Sequence, residues 1–145
     1  MTLPSDLASR GLVAHPEGGW FRETWRSTLC TVIDFALESG TFSAWHRVRG
    51  ADEVWTYVRG CPLRLHVIHP DGRYETLVLN DERSSAVVPA DAWQAAEPVG
   101  TAAPYVLVTC TVSPPFAFDR FDLADATLAR SFPNHAPVID RFLPG

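Results

Sequence analysis

The chain of 145 residues contains 17 acidic and 12 basic side chains, a formal net charge of −5, and 46% hydrophobic residues. This length suits one globular domain over residues 1–145 that buries its own core. The acidic balance, with no run of Lys or Arg, argues against nucleic-acid and membrane-surface partners, and no stretch approaches the roughly 20 apolar residues of a membrane span. We therefore expect a soluble, cytoplasmic protein.

The first predicted element is a short helix over residues 4–10, with Pro4 in its first turn and Gly11 just past its end. Nine short segments rich in Val, Thr and aromatic residues follow, at the spacing of a β-sandwich or barrel. They are residues 19–27, 31–37, 40–48, 52–58, 62–68, 73–79, 85–90, 93–97 and 105–112. The sequence therefore predicts an all-β fold.

Turn residues and a change of pattern mark the rest of the chain. Pro70, Asp71 and Gly72 predict a hairpin between two of the strands, because proline presets φ and glycine adopts positive φ. Beyond residues 114–115, apolar residues spaced among acidic and small ones indicate a loop and a short amphipathic helix. We expect this tail to cover one end of the strand assembly.

The most informative segment runs from Gly40 to Gly60. Five residues separate Gly40 from His46, and six separate Glu53 from Gly60. Side chains alternate along a strand, so Phe42 and His46 are predicted to share a face of one strand, and Glu53 a face of the next. A turn between the two strands brings His46 and Glu53 close together.

This spacing resembles the first motif of the cupin superfamily, G-x5-H-x-H-x(3 or 4)-E-x6-G, with Val48 at the second histidine. A remnant of the second motif, G-x5-P-x-G-x2-H-x3-N, keeps Pro89 but has Asp91 at the glycine and Gln94 at the histidine. The segments HPEGGWFRETWRS, WHRVRGADEVWTYVRG, VVPADAWQAAEP and LVTCTVSPPFAF resemble the small cupins of unknown function sometimes called the fifth cupin family.

The resemblance covers about residues 12–132 and implies a double-stranded β-helix, the cupin jelly-roll barrel or sandwich, with short helical segments at its termini. It also implies a homodimer with one small-molecule pocket inside each barrel, and no agreed activity. In cupins the motif faces line the barrel interior. His46 and Glu53 are therefore the candidate catalytic residues, with Phe42, Trp55 and Tyr57 as candidate ligand-binding walls.

Two further candidates come from the same resemblance. Gln94 is expected to hydrogen-bond a ligand carbonyl or hydroxyl, or to satisfy backbone groups at a strand edge. The glycines of the HPEGG run at residues 15–19 suit a close backbone approach or a bulge, and the run is expected to close one mouth of the pocket. Arg22 follows it and would meet an anionic group of the ligand, or otherwise form a solvated salt bridge.

The replaced histidines change what is expected of a metal. A site of three His and one Glu would here consist of His46, Val48, Glu53 and Gln94. Valine has no donor atom, and an amide is a poor substitute for imidazole towards Fe, Ni, Cu or Zn. We expect no required cofactor; a weakly bound divalent ion at His46, Glu53 and Gln94 is the minor alternative.

The leading hypothesis is a metal-independent isomerase, epimerase or lyase acting on a small polar substrate such as a sugar or hydroxy acid. In it, His46 is the base, Glu53 is its partner or acid, and Gln94 positions the substrate. The alternative is a non-catalytic storage or sensor module with an aromatic pocket. A metal-dependent enzyme is the weaker third hypothesis. The simplest interpretation of His46 is a satisfied core histidine, and that of Glu53 is an ion pair with a nearby arginine.

Overall fold

The computed structural model describes residues 3–145 and shows two antiparallel sheets that enclose a common core. Its strands are β1 (Val13–Ala14), β2 (Trp20–Arg26), β3 (Thr31–Glu38), β4 (Ser43–Val48), β5 (Asp52–Gly60), β6 (Leu63–Ile68), β7 (Tyr74–Leu79), β8 (Ser85–Val88), β9 (Trp93–Pro98), β10 (Tyr105–Ser113) and β11 (Phe121–Leu123). The sheet orders are β1-β2-β3-β10-β5-β8 and β11-β4-β9-β6-β7. The predicted all-β jelly roll is confirmed.

The nine segments predicted as strands all form strands, and the structure adds the short strands β1 and β11 at two sheet edges. The predicted N-terminal helix is present as α1 (Ser5–Ala8), which begins just after Pro4. The predicted hairpin joins β6 to β7: the His69 N–H donates to the Arg73 carbonyl over 2.9 Å, and Gly72 has φ +90°. Local turn chemistry therefore determines this register.

The core between the sheets is formed by alternate side chains of both layers. Phe35 and Trp55 from the first sheet meet edge to face, 5.8 Å apart, and both are fully buried. Leu65 and Ala96 from the second sheet belong to the same cluster. Burial of aromatic and aliphatic surface of this kind is the main source of stability in a jelly roll. It also fills the middle of the barrel, and a cavity remains towards one end.

The C-terminal segment differs from its prediction. Its first part lies at the open end of the barrel, as expected, but α2 (Leu128–Ser131) and α3 (Ala136–Arg141) pack on the outer face of the second sheet. There Trp45 is fully buried and donates its indole N–H to the Val138 carbonyl over 3.2 Å. The outer face of β4 is apolar at Trp45, so this surface has to be covered.

Truncation of a buried side chain of this segment should destabilise the protein strongly. Ile139 is fully buried against the outer face of the sheet, so we expect Ile139→Ala to lower the free energy of unfolding by about 2 to 4 kcal/mol. Leu123→Ala is the matched control, because Leu123 is 39% exposed and should cost under about 1 kcal/mol. Urea unfolding followed by tryptophan fluorescence measures both, and equal losses would contradict the assigned packing.

None of the helices among residues 3–145 has the length and apolar character needed to cross a bilayer.

Candidate active site

A cavity of about 120 Å³ opens at one end of the barrel. Its titratable lining residues are His15, Glu17, Glu23, Arg26, His46 and Glu53. The remaining wall is mainly apolar, with Phe21, Phe116, Phe118, Phe121, Ile33, Val48 and Val112. The cavity therefore combines a small group of ionisable side chains with an aromatic and aliphatic wall, the usual composition of a small-molecule site.

The central contact of the cavity is an ion pair between His46 and Glu17. The Nε2 atom of His46 lies 2.8 Å from a carboxylate oxygen of Glu17, and the two side chains are only 2% and 6% exposed. The other ring nitrogen, Nδ1, lies 2.8 Å from the Ala44 carbonyl and donates to it. Both ring nitrogens of His46 are thus engaged by acceptors, which favours the doubly protonated imidazolium.

The pairing corrects one sequence expectation. The sequence predicts Glu53 as the carboxylate that fixes the His46 ring, but Glu17 makes that contact. The physical reason is the turn between β1 and β2, where Gly18 and Gly19 have φ of +101° and +79°. A Cβ at Gly18 would lie 2.5 Å from the Phe42 carbonyl oxygen. Only glycine allows this close approach, which holds Glu17 against β4.

Glu53 has a different set of partners. The Gln94 amide nitrogen donates to a Glu53 oxygen over 2.9 Å, and the Gln94 oxygen accepts the Trp55 indole N–H over 2.7 Å. Gln94 is 1% exposed and Trp55 is fully buried, so the chain of hydrogen bonds is fixed by the core. Gln94 therefore orients the Glu53 carboxyl group from behind, and both its amide nitrogen and its oxygen are engaged in this chain.

Burial and charge separate the pKa values of the site. Burial raises the pKa of Glu53 to about 7, against the opposing charge of His46. Burial alone would lower the pKa of His46, but the charge and hydrogen bond of Glu17 outweigh it and raise that pKa to about 9. Burial likewise opposes ionisation of Glu17, yet the neighbouring His46 and His15 hold its pKa below the usual value. At neutral pH the site contains a charged His46–Glu17 pair beside a carboxyl group that titrates.

Cys110 is the nearest thiol to this group and is not a nucleophile. Burial raises its pKa well above the usual value, and the charge of Glu53 acts in the same direction. A protonated thiol at a strand interior is inert.

Three residues predicted to bind the ligand, Trp55, Tyr57 and Gln94, do not line the cavity. Along β5, inward side chains are about 7 Å apart per two residues, so Glu53 lies at the cavity while Trp55 and Tyr57 lie progressively deeper. Trp55 is part of the filled core, and the Tyr57 hydroxyl donates to the Gly60 carbonyl over 2.7 Å. Neither of them lines the cavity, and Gln94 supports Glu53 without facing the cavity.

The other two predicted ligand-binding residues lie outside the cavity as well. The register of β4 against β9 shifts between Ser43 and His46, so the side chains of this strand no longer alternate regularly between the two faces. As a result, the Phe42 ring packs against the Phe142 ring under the C-terminal segment, with 5.3 Å between ring centroids. Arg22 is half exposed and pairs with Asp34 at 3.9 Å. It projects from the face of β2 opposite to that of Phe21 and Glu23, because neighbours on a strand alternate.

Sequence reasoning missed His15, Glu17 and the phenylalanines of the segment that precedes β11. The HPEGG run is predicted to close the pocket mouth, and its two glycines were the available signal for a close approach. That Glu17 enters the site could not be derived from the motif spacing.

Asp91, at the place of the motif glycine, adopts φ +69°, and its side chain accepts the Gly50 N–H over 3.0 Å. It thereby fastens the turn between β4 and β5.

The residues present do not fit the metal site of the cupin motif. Val48 lines the cavity without a donor atom, and the Gln94 oxygen that would replace the missing imidazole accepts from Trp55. Among residues 3–145, no three His, Cys, Asp or Glu side chains are arranged to hold a metal ion. The alternative of an ion at His46, Glu53 and Gln94 therefore has no support from the donor geometry.

The two-sheet jelly roll with an interior pocket at one end defines a cupin. The family model described as Cupin superfamily (DUF985) matches residues 7–124, and the chain belongs to this family. A hypothetical protein from Leishmania major is 28% identical, with a TM-score of 0.88, over 99% of this chain and 100% of that one. A protein from Shewanella oneidensis is 30% identical, with a TM-score of 0.87, over 99% of this chain and 98% of that one.

More distant structures share the fold alone. The nucleoside dehydratase Pac13, from Streptomyces, is 14% identical, with a TM-score of 0.59, over 74% of this chain and 79% of its own. No curated protein sequence matches this chain. The cupin fold thus has distant relatives that are enzymes, and fold by itself does not assign an activity.

Proposed function

We propose that this cupin is a metal-independent acid–base enzyme, an isomerase or lyase, in which Glu53 is the general base. One observation carries the proposal: a buried carboxyl group with a pKa of about 7 faces a small aromatic-walled cavity and is held in place by Gln94. A general base is most effective when its pKa lies near the working pH. Perturbed pKa values of buried carboxyl groups that face a cavity cluster at functional sites.

The chemistry that suits one such carboxylate is proton transfer next to a carbonyl group. Glu53 takes the proton from the adjacent carbon, the C–H electron pair forms the C=C bond of an enolate, and the carbonyl π pair moves to oxygen. Return of the same proton to another carbon on the same face gives an isomer. In elimination, the C–O bond to a β-hydroxyl breaks with its electron pair, and the hydroxyl takes the proton from Glu53 and leaves as water.

His46 has a different role in this proposal from the one its sequence position suggests. Its two nitrogens are engaged by Glu17 and the Ala44 carbonyl, so the ring has no lone pair to accept a proton from substrate. As an imidazolium it places a fixed positive charge near the developing enolate. Glu17 keeps that charge in place, and Phe121 stacks on the ring at 5.6 Å. His46 is therefore an electrostatic group and Glu53 is the base.

The lyase alternative within the proposal agrees with the activity of one distant relative. Pac13 is described as a nucleoside dehydratase, and dehydration is the elimination that a single carboxyl group can carry out. This is an analogy of fold at 14% identity, so it supports the reaction class and not the substrate.

Hydrogen exchange tests the proposal without knowledge of the product. Small aldehydes, ketones and hydroxyketones are incubated with the protein in D₂O, and loss of the α-proton NMR signals is followed. We expect exchange above the buffer rate, rising with pH through a midpoint near 7 as Glu53 ionises. Glu53→Gln should lower it at least about a hundredfold, whereas Glu82→Gln, an exposed loop control, should not.

The competing function is a non-catalytic binding module, favoured by the four phenylalanines of the cavity wall. The same assay separates the two functions. A compound that binds tightly and keeps its α-protons, at equal rates in wild type and Glu53→Gln, would support binding and remove Glu53 from catalysis.

A further inference from the structure

The cations of the cavity are already paired with carboxylates of the same cavity. His46 lies 2.8 Å from Glu17. Arg26 makes two hydrogen bonds to Glu23, of 3.1 and 2.7 Å, in a fork-to-fork arrangement. A ligand carboxylate or phosphate would therefore meet cations whose charge Glu17 and Glu23 already neutralise.

The remaining charge of the cavity also opposes an anion. Glu53 is a third carboxyl group beside these two neutralised pairs, so the lining is neutral or negative, depending on its protonation. It does not suit a cation either. The rings are those of Phe, which attracts cations less than Trp does, and the nearest fixed charge to Glu53 is the imidazolium of His46. The cavity lining therefore favours neither an anionic nor a cationic ligand.

His15 provides a polar group with a defined direction of donation. The Glu17 backbone N–H donates to Nδ1 of His15 over 3.2 Å, so in the neutral ring the proton resides on Nε2. Burial lowers the pKa of His15, which favours the neutral ring. Among residues 3–145, no hydrogen bond involves Nε2, and His15 lines both this cavity and a second pocket beside Trp20 and Phe42. Its ring is held by edge contacts with Phe21 at 4.7 Å and Phe121 at 5.9 Å.

We infer that the cavity takes a small uncharged carbonyl compound with an apolar body, and that the Nε2–H of His15 donates a hydrogen bond to its oxygen. The apolar body would lie against Phe21, Phe116, Phe118 and Phe121. A neutral donor stabilises an enolate oxygen without adding a further buried charge. The inference rests on the proposed function, because it names the substrate class of the same site. It replaces the polar sugar or hydroxy acid expected from the sequence with a neutral ketone or aldehyde that has an apolar body.

Three probes that share one ring separate the ligand classes: cyclohexanone, cyclohexanecarboxylate and cyclohexylammonium. Their dissociation constants are measured by saturation-transfer NMR titration of the full chain at pH 7. We expect cyclohexanone to bind at least tenfold more tightly than either charged probe. Tighter binding of the carboxylate or of the ammonium, or no binding of cyclohexanone, would overturn the inference.

Variants of His15 test the donor separately from the cavity. His15→Phe should weaken cyclohexanone binding about tenfold, and His15→Gln, which keeps an N–H donor, should weaken it less. His69→Gln is the control, since His69 pairs with Glu75 on the other sheet. Unchanged affinity in His15→Phe would remove His15 from the inference.

Deuterium exchange of the cyclohexanone α-protons distinguishes failure of the inference from failure of the proposed function. We expect Glu53→Gln to bind the ketone within threefold of wild type and to lose the exchange. Neutral selectivity without exchange in wild type would overturn the proposed function and leave the substrate class standing. Exchange in wild type together with tighter binding of a charged probe would overturn the substrate class and leave the proposed function standing.

Discussion

Glu53→Gln is expected to remove proton exchange and, at the same time, to stabilise the protein above pH 7. The buried carboxyl group has a folded pKa of about 7 against an ordinary 4.5. The stability associated with its protonated form is fully present below pH 4.5 and is lost as pH rises through about 7. A rise of this size corresponds to about 3 kcal/mol, and relaxation around the charge reduces the expected gain to about 2 kcal/mol.

Urea unfolding of wild type and Glu53→Gln at pH 4.5, 6 and 8 measures this difference. We expect nearly equal stability at the lowest pH and an advantage of the variant that grows towards pH 8. The amide oxygen that the substitution introduces would still accept the hydrogen bond of Gln94, so the packing is preserved. A pH-independent difference, or a less stable variant at pH 8, would contradict the raised pKa. Stability gained where activity is lost is typical of a catalytic group held in an unfavourable environment.

Glu17→Gln is expected to lower the pKa of His46 and to destabilise the fold. His46 keeps its proton to about pH 9 because of the charge and hydrogen bond of Glu17, in spite of its burial. Without that charge, burial dominates, and we expect His46 to titrate below 6.5. Removing one partner of a buried pair costs about 3 to 5 kcal/mol when the other charge stays. Because His46 can lose its proton, we expect the lower end, about 3 kcal/mol.

The His46 resonance in ¹⁵N-detected histidine NMR reads its pKa, and denaturant unfolding reads the loss of stability. The stability difference should be largest between about pH 4.5 and 6.5 and should shrink as pH rises through 9, because the unfolded histidine loses its proton first. Glu97→Gln is the matched control: it breaks a separate His–Glu contact, between His66 and Glu97 at 2.7 Å, and should leave the His46 titration unchanged. An unaltered His46 pKa in Glu17→Gln would show that Glu17 is not its partner.

The strands and the motif positions could be predicted because the information for them is local. Alternating Val, Thr and aromatic residues indicate strands, and Pro70 to Gly72 specify a hairpin. The spacing from Gly40 to Gly60 placed His46 and Glu53 at one cavity, as the cupin resemblance implied. The replacement of two motif histidines by Val48 and Gln94 was also readable from the sequence.

The composition of the cavity wall could not be predicted. Strand alternation shows which face of the sheet a side chain occupies, but not how far along the barrel it lies. Trp55 shares a face with Glu53 but lies further along the barrel, in the filled core. Phe42 lies outside the cavity because the register of β4 against β9 shifts, and no local pattern signals such a shift. Phe118 and Phe121 enter the cavity from a segment that the sequence predicts as a loop and a short amphipathic helix.

The sequence by itself determined the cupin fold, the strand order of the chemistry-bearing motif and the candidacy of His46 and Glu53. Tertiary structure alone decided their roles. The Glu17 carboxylate reaches His46 across 29 positions of the chain, through a glycine turn, and gives His46 its charge. Gln94 meets Glu53 across 41 positions and fixes its direction. Protonation state depends on burial and on the nearest charge, and both are properties of the packed molecule that residue spacing does not contain.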